Sequence, residues 1–209
     1  MSAMSAAAAR HGSVRLVRLF LVSRRVAVAL AAVVAVAAGL RVAATWHWDS
    51  YGALQLPLVF ETGCAIVIAV ATASPFGDEE HAAGTWLPAL RLGSMIGLTV
   101  VSFAALAAAC TGAHLAGGLP DVARNLVGSV GLGLVCAAAF GGWLAWTGPC
   151  GYLVVAAYAL YAAWHGGATH SPWLWPARPP DDVGAWLCAA LVFVAGIALV
   201  TVRGARDTA

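Results

Sequence analysis

The sequence predicts an all-α integral membrane protein with six transmembrane helices, on three observations. The chain is 62% hydrophobic and 10% charged, with a mean hydropathy of +0.86. Its 209 residues contain six apolar runs, most of them near the roughly 20 residues that cross about 30 Å of hydrocarbon. Its 11 basic and 9 acidic residues gather mainly in short clusters between those runs. A soluble domain needs about a quarter of its residues charged to cover its surface, so a soluble fold is excluded.

The first span is expected at 25–45, the second at 54–74 and the third at 90–115, each bounded by charge, proline or tryptophan. The fourth is expected at 121–146, the fifth and shortest at 151–164, and the sixth at 184–202. One membrane domain over 25–203 follows, with a cytoplasmic tail at 1–24 and another at 204–209. Over the segment from His11 to Arg25, His11, Arg15, Arg18 and Arg25 share a stripe at 100° per residue, which predicts an amphipathic helix lying on the membrane surface. Ser23, Arg24 and Arg25 before an apolar run also read as a twin-arginine export signal. Arg41 and five further spans weigh against cleavage there, so the first helix is expected to stay.

All 11 basic residues are arginine. With the N-terminus inside, eight fall on the cytoplasmic side (Arg10, Arg15, Arg18, Arg24, Arg25, Arg91, Arg203 and Arg206) and three outside (Arg41, Arg124 and Arg178). That bias predicts both termini cytoplasmic. Trp46, Trp48, Trp164, Trp173, Trp175 and Trp186 then fall near the outer face, and Trp86, Trp143 and Trp146 near the inner one, as interfacial anchors. The net charge of +2 is too mild to indicate a nucleic-acid partner. Without lysine there is no phosphate-binding loop of the G-x-x-x-x-G-K-[ST] kind, so any ATP has to be bound by another chain. An alanine-rich, lysine-free chain points to a GC-rich bacterial genome, and hence to a multi-pass protein of the bacterial plasma membrane.

Lipid gives helices no hydrophobic reason to associate, so small residues mark where backbones approach. Ala27, Ala31, Ala35 and Gly39 form such a stripe on the first span. Gly93, Gly97, Val101 and Ala105 form one on the third, and Ser129, Gly133, Ala137 and Gly141 one on the fourth. Each is a candidate subunit interface or an internal seam. The five cysteines form no C-x-x-C and read as small packing residues. The Gly131–Gly133 pair sits inside a span and is no dinucleotide motif.

Glu61 lies about 10 Å below the outer end of the second span, where an ionised carboxylate costs on the order of 2.5 to 3.5 kcal/mol in lipid. It is expected to face the bundle interior and to find Arg41 at similar depth. The pair is a candidate for the substrate pathway, and a structural ion pair is the plainer alternative. Pro57 is expected to kink the same helix. His47, His114, His165 and His170 at the outer face admit a haem or metal reading, although no pair has i,i+4 spacing. Two connections exceed a turn, the inner one at 75–88 and the outer one at 165–183, and function is expected there.

The inner connection reads Ser74-Pro75-Phe76-Gly77-Asp78-Glu79-Glu80-His81 and leads into Leu90-Arg91-Leu92-Gly93, while Arg124-Asn125-Leu126-Val127-Gly128 opens the fourth span. These residues, the helix before the first span and the long outer segment before the sixth resemble the six-span permease subunits of type-2 ABC exporters, especially small actinobacterial transporters. The resemblance implies that Phe76, Gly77, Asp78, Glu79 and Glu80 couple to a separate cytoplasmic ABC ATPase that binds ATP and Mg. It implies a second permease subunit, the same or different, and no cofactor or catalytic residue in this chain. It also implies that Pro172, Trp173 and Pro176 lie in a re-entrant part. The rival function is a proton-coupled carrier that uses Glu61.

Overall fold

The computed structural model describes residues 26–46, 48–72, 87–112, 118–166 and 171–203. Among them every regular element is helical: α1 (Val26–Ala43), α2 (Ser50–Ala71), α3 (Leu87–Ala109), α4 (Gly118–Phe140), α5 (Thr147–Trp164) and α6 (Val183–Arg203), with short 3-10 turns at Gly142–Leu144 and Trp175–Ala177. Six helical segments are long and apolar enough to cross a membrane. The chain is a multi-pass membrane protein. Large apolar side chains such as Val34, Val100, Val154, Leu191 and Val194 stand exposed along these helices, as a lipid-facing surface requires. The expected surface helix, both tails and the 76–80 coupling stretch lie outside the described residues.

Several helix boundaries differ from expectation by three to six residues, and two of them have a clear local cause. The second helix starts at Ser50 because the Asp49 side chain accepts a hydrogen bond from the Gly52 amide at 2.8 Å and caps it. The fourth ends at Phe140 because Gly141 turns the chain with φ +92°, a region that favours glycine. Gly141 therefore breaks the span and does not extend the packing stripe along it. The fifth span gains length in return, since the Gly142–Leu144 turn and α5 together run from Gly142 to Trp164.

Helix α4 is the centre of the bundle. Of its apolar window 61% is buried, against 22% for α1 and for α6. It packs on α2, α3, α5 and α6, most closely on α6. Glycines let these neighbours in. A Cβ on Gly131 would stand 2.5 Å from the Phe193 backbone nitrogen, and one on Gly196 would stand 2.6 Å from the Gly131 carbonyl oxygen. A Cβ on Gly133 would stand 2.7 Å from Ala69 Cβ of α2. Ser129, Gly133 and Ala137 are all buried, so this stripe is an internal seam.

The other two stripes face outward. Ala27, Ala31 and Ala35 are exposed while Ala29, Val33, Ala37 and Leu40 fill the inner face of α1. Gly39 alone of that row packs, against the Phe60 ring. On α3, Gly93 and Gly97 meet nothing within 4 Å, and Met95, Leu98, Ser102 and Leu106 face the core.

Candidate functional site

The end of the bundle where α1 finishes and α2 begins is here called the upper end. The 171–182 segment enters the bundle from that end. Trp175 is 2% exposed and its indole lies against Gly128, where a Cβ would stand 2.5 Å from Cζ2. Gly128 comes ten residues after Gly118, about 15 Å down α4. The Trp175 ring also stacks on Tyr152 at a centroid distance of 4.4 Å, and the Tyr152 hydroxyl donates to the Trp173 carbonyl at 2.8 Å. Tyr152 is twelve residues before the end of α5, about 18 Å down. Both partners place Trp175 near half depth of a core about 30 Å thick. It is a plug in the bundle and not the interfacial anchor expected of it.

Irregular backbone is tolerated at that depth only where protein or a cavity satisfies its polar groups. Arg124 does much of this. Its guanidinium, with no exposed surface, donates to the Pro179 carbonyl at 2.6 Å, to the Arg178 carbonyl at 3.0 Å and to Asp121 Oδ1 at 2.7 Å. The sequence marks Arg124 as an outer-side arginine and as the start of the Arg124–Gly128 motif, and neither reading gives it this clamping role. At the segment's end Asp182 caps α6 by accepting from the Ala185 amide at 2.9 Å, and it pairs with Arg178 through its other oxygen. The Ala185 amide first, and Arg178 next, hold the Asp182 carboxyl below the ordinary aspartate range.

Beneath the segment lies a cavity of about 40 Å³ lined by Ala53, Pro57 and Glu61 of α2, Asp121 and Asn125 of α4, and Pro176. That volume admits about three waters and no organic substrate. Glu61 is 1% exposed and eleven residues into α2, about 16 Å down, deeper than expected because α2 begins earlier. Asn125 is 7% exposed. Neither oxygen of Glu61, nor Asn125 Oδ1, has a hydrogen-bond partner within 3.5 Å. Pro57 lacks an N–H, so the Ala53 carbonyl one turn above loses its helical donor.

Arg41 and Glu61 do not meet. The Arg41 side chain stays exposed and donates to the Ala109 and Thr111 carbonyls at the end of α3. Those carbonyls are open because helix ends lack i+4 donors, and at the surface the guanidinium avoids desolvation. The sequence does not show that Asn125 and Asp121 neighbour Glu61, although a polar pair at i,i+4 inside an apolar run is itself a signal. Of the four outer histidines, His47, His114 and His170 lie outside the described residues. His165 places Nδ1 2.8 Å from the Tyr161 carbonyl and tilts its ring over Tyr161. Among the described residues no three His, Cys, Asp or Glu side chains group as metal ligands.

These features define a six-helix membrane protein whose buried acid sits under a re-entrant plug. No family model, curated protein or solved structure matches the chain.

Proposed function

We propose that the chain is the transmembrane subunit of an ATP-driven exporter in a bacterial plasma membrane. The observation that carries this reading is the 171–182 segment, folded back to half depth with Trp175 packed on Gly128 and Tyr152 above the Glu61 cavity. A purely structural bundle has no use for irregular backbone and an unpaired acid at that depth, whereas a gated path has use for both. The plug closes the upper, outward end in this conformation. Export requires that the end open and the opposite end close, which differential contacts of a partner ATPase supply. ATP and Mg sit on that partner, and this chain supplies no lysine for a phosphate-binding loop. A second permease subunit completes the path, and the outward-facing small residues of α1 and α3 suit close helix contact with it.

Coupling enters through Phe76 to Glu80. In the full chain co-expressed with its ATPase, replacing Phe76 with Ala together with Glu79→Gln leaves membrane insertion intact. It separates ATP hydrolysis from transport in reconstituted vesicles. Unchanged coupling removes the docking assignment. A second reading, a proton-coupled carrier, is favoured by the unpaired Glu61. It predicts transport in vesicles that carry a pH gradient and no ATPase.

A further inference from the structure

We propose that the cavity under the plug is a binding site for one small monovalent cation, exchanged there against a proton on Glu61. Three observations point to a positive ligand. Glu61 Oε1, Glu61 Oε2 and Asn125 Oδ1 are buried acceptors with no partner, and the Ala53 carbonyl has lost its helical donor to Pro57. All four residues line one cavity. Two carboxylate oxygens, an amide oxygen and a main-chain carbonyl gathered on one cavity are the donor set of a hard cation.

Charge and size narrow the ligand. Asp121 is tied through Oδ1 to Arg124 at 2.7 Å, so that pair is neutral overall. Glu61 is then one excess negative charge at half depth, which a proton or a single monovalent cation balances and a divalent ion overshoots. A cavity of about 40 Å³ takes a small ion with a water or two, or a primary ammonium group, and excludes a quaternary ammonium.

The groups around Glu61 leave it as the exchanging site. On α2 the nearest titratable neighbour is Cys64, at the end of α3 it is Cys110, and on α4 they are Asp121 and Arg124. Tyr152 of α5 is engaged by the Trp173 carbonyl, and Arg41 of α1 by the α3 carbonyls. Ala53, Leu54 and Gly118 line the upper part of the cavity, so the cation arrives from the plug's end. The site does not depend on the exporter reading, since it operates whether ATP or a gradient drives the protein.

The test is infrared difference spectroscopy on the full chain in lipid nanodiscs, following the protonated-carboxyl stretch as sodium, potassium or methylammonium replaces tetramethylammonium across a pH series. At least one small cation is expected to remove the band, and tetramethylammonium to leave it. Response to sodium or potassium identifies a metal ion, and response to methylammonium alone identifies an amine headgroup. Glu61→Gln abolishes the band, and Asn125→Leu keeps it while raising the half-displacing concentration about tenfold or more. A band that follows pH and ignores every cation overturns the proposal, as does a cation response that survives in Glu61→Gln.

Discussion

Arg124 illustrates how one side chain decides whether the plug is held. Itself without exposed surface, it satisfies two carbonyls of the re-entrant segment and the partly buried Asp121 carboxylate. Arg124→Ala leaves Asp121 uncompensated and both carbonyls unpaired, and breaking such a buried pair costs roughly 3–5 kcal/mol. The expected loss is read from unfolding of the purified protein in detergent, and a change below about 1 kcal/mol contradicts the clamp. Lysine at the same position puts its three N–H donors on one nitrogen, which does not span acceptors that Nη1 and Nη2 of Arg124 reach separately, so Arg124→Lys is expected to rescue little. Glycine positions give a sharper contrast. Gly131→Ala forces a Cβ to within 2.5 Å of the Phe193 backbone, and overpacking of this kind costs about 1–3 kcal/mol. Gly97→Ala meets nothing within 4 Å and is expected to stay within about 0.5 kcal/mol. Equal effects at the two sites contradict the assignment of α4 as the inner helix.

The re-entrant segment is the element on which the functional reading turns, and it is pinned at three points. Tyr152 holds the Trp173 carbonyl, Arg124 holds residues 178 and 179, and Asp182 caps the helix that follows. Tyr152→Phe removes one hydrogen bond and keeps the ring stack, so a loss of about 1 kcal/mol is expected. The cap titrates. Because the folded Asp182 carboxyl lies below its ordinary value of 3.8, its contribution is complete above that value and fades as pH falls through the lowered one. Protection of the Ala185 amide from hydrogen exchange, corrected for intrinsic rates, is expected to fall on acidification below about pH 4. Protection that stays constant to about pH 3 contradicts the cap.

For the molecule as a whole, span number was legible in the sequence and helix faces were not. Six apolar runs of near-membrane length gave six helices because backbone satisfaction in lipid leaves little choice. Their inner faces carry no such mark, since lipid tails and protein interior are equally apolar and amphipathic contrast vanishes. The α1 stripe Ala27-Ala31-Ala35 was thus indistinguishable from the truly buried row Ala29-Val33-Ala37. Glu61 was legible as an inward acid because charge does break the apolar background. Its neighbours Asp121 and Asn125 were visible as polar residues, yet which helix packs beside α2 is not written in either helix alone. Trp175 was read as an anchor for a related reason: depth depends on the chain folding back, and composition does not report depth.

The central claim is that ATP on a partner moves the upper end of this bundle between closed and open. It is tested most directly by Ala53→Cys, on the cavity beneath the plug, in a chain whose five native cysteines are replaced by alanine. The full chain is assembled with the proposed partner ATPase in vesicles and treated with a membrane-impermeant thiol reagent, with the cysteine-free chain as background. Labelling is expected to differ roughly tenfold or more between the nucleotide-free and ATP-trapped complexes. Equal labelling in both states contradicts ATP-driven alternating access.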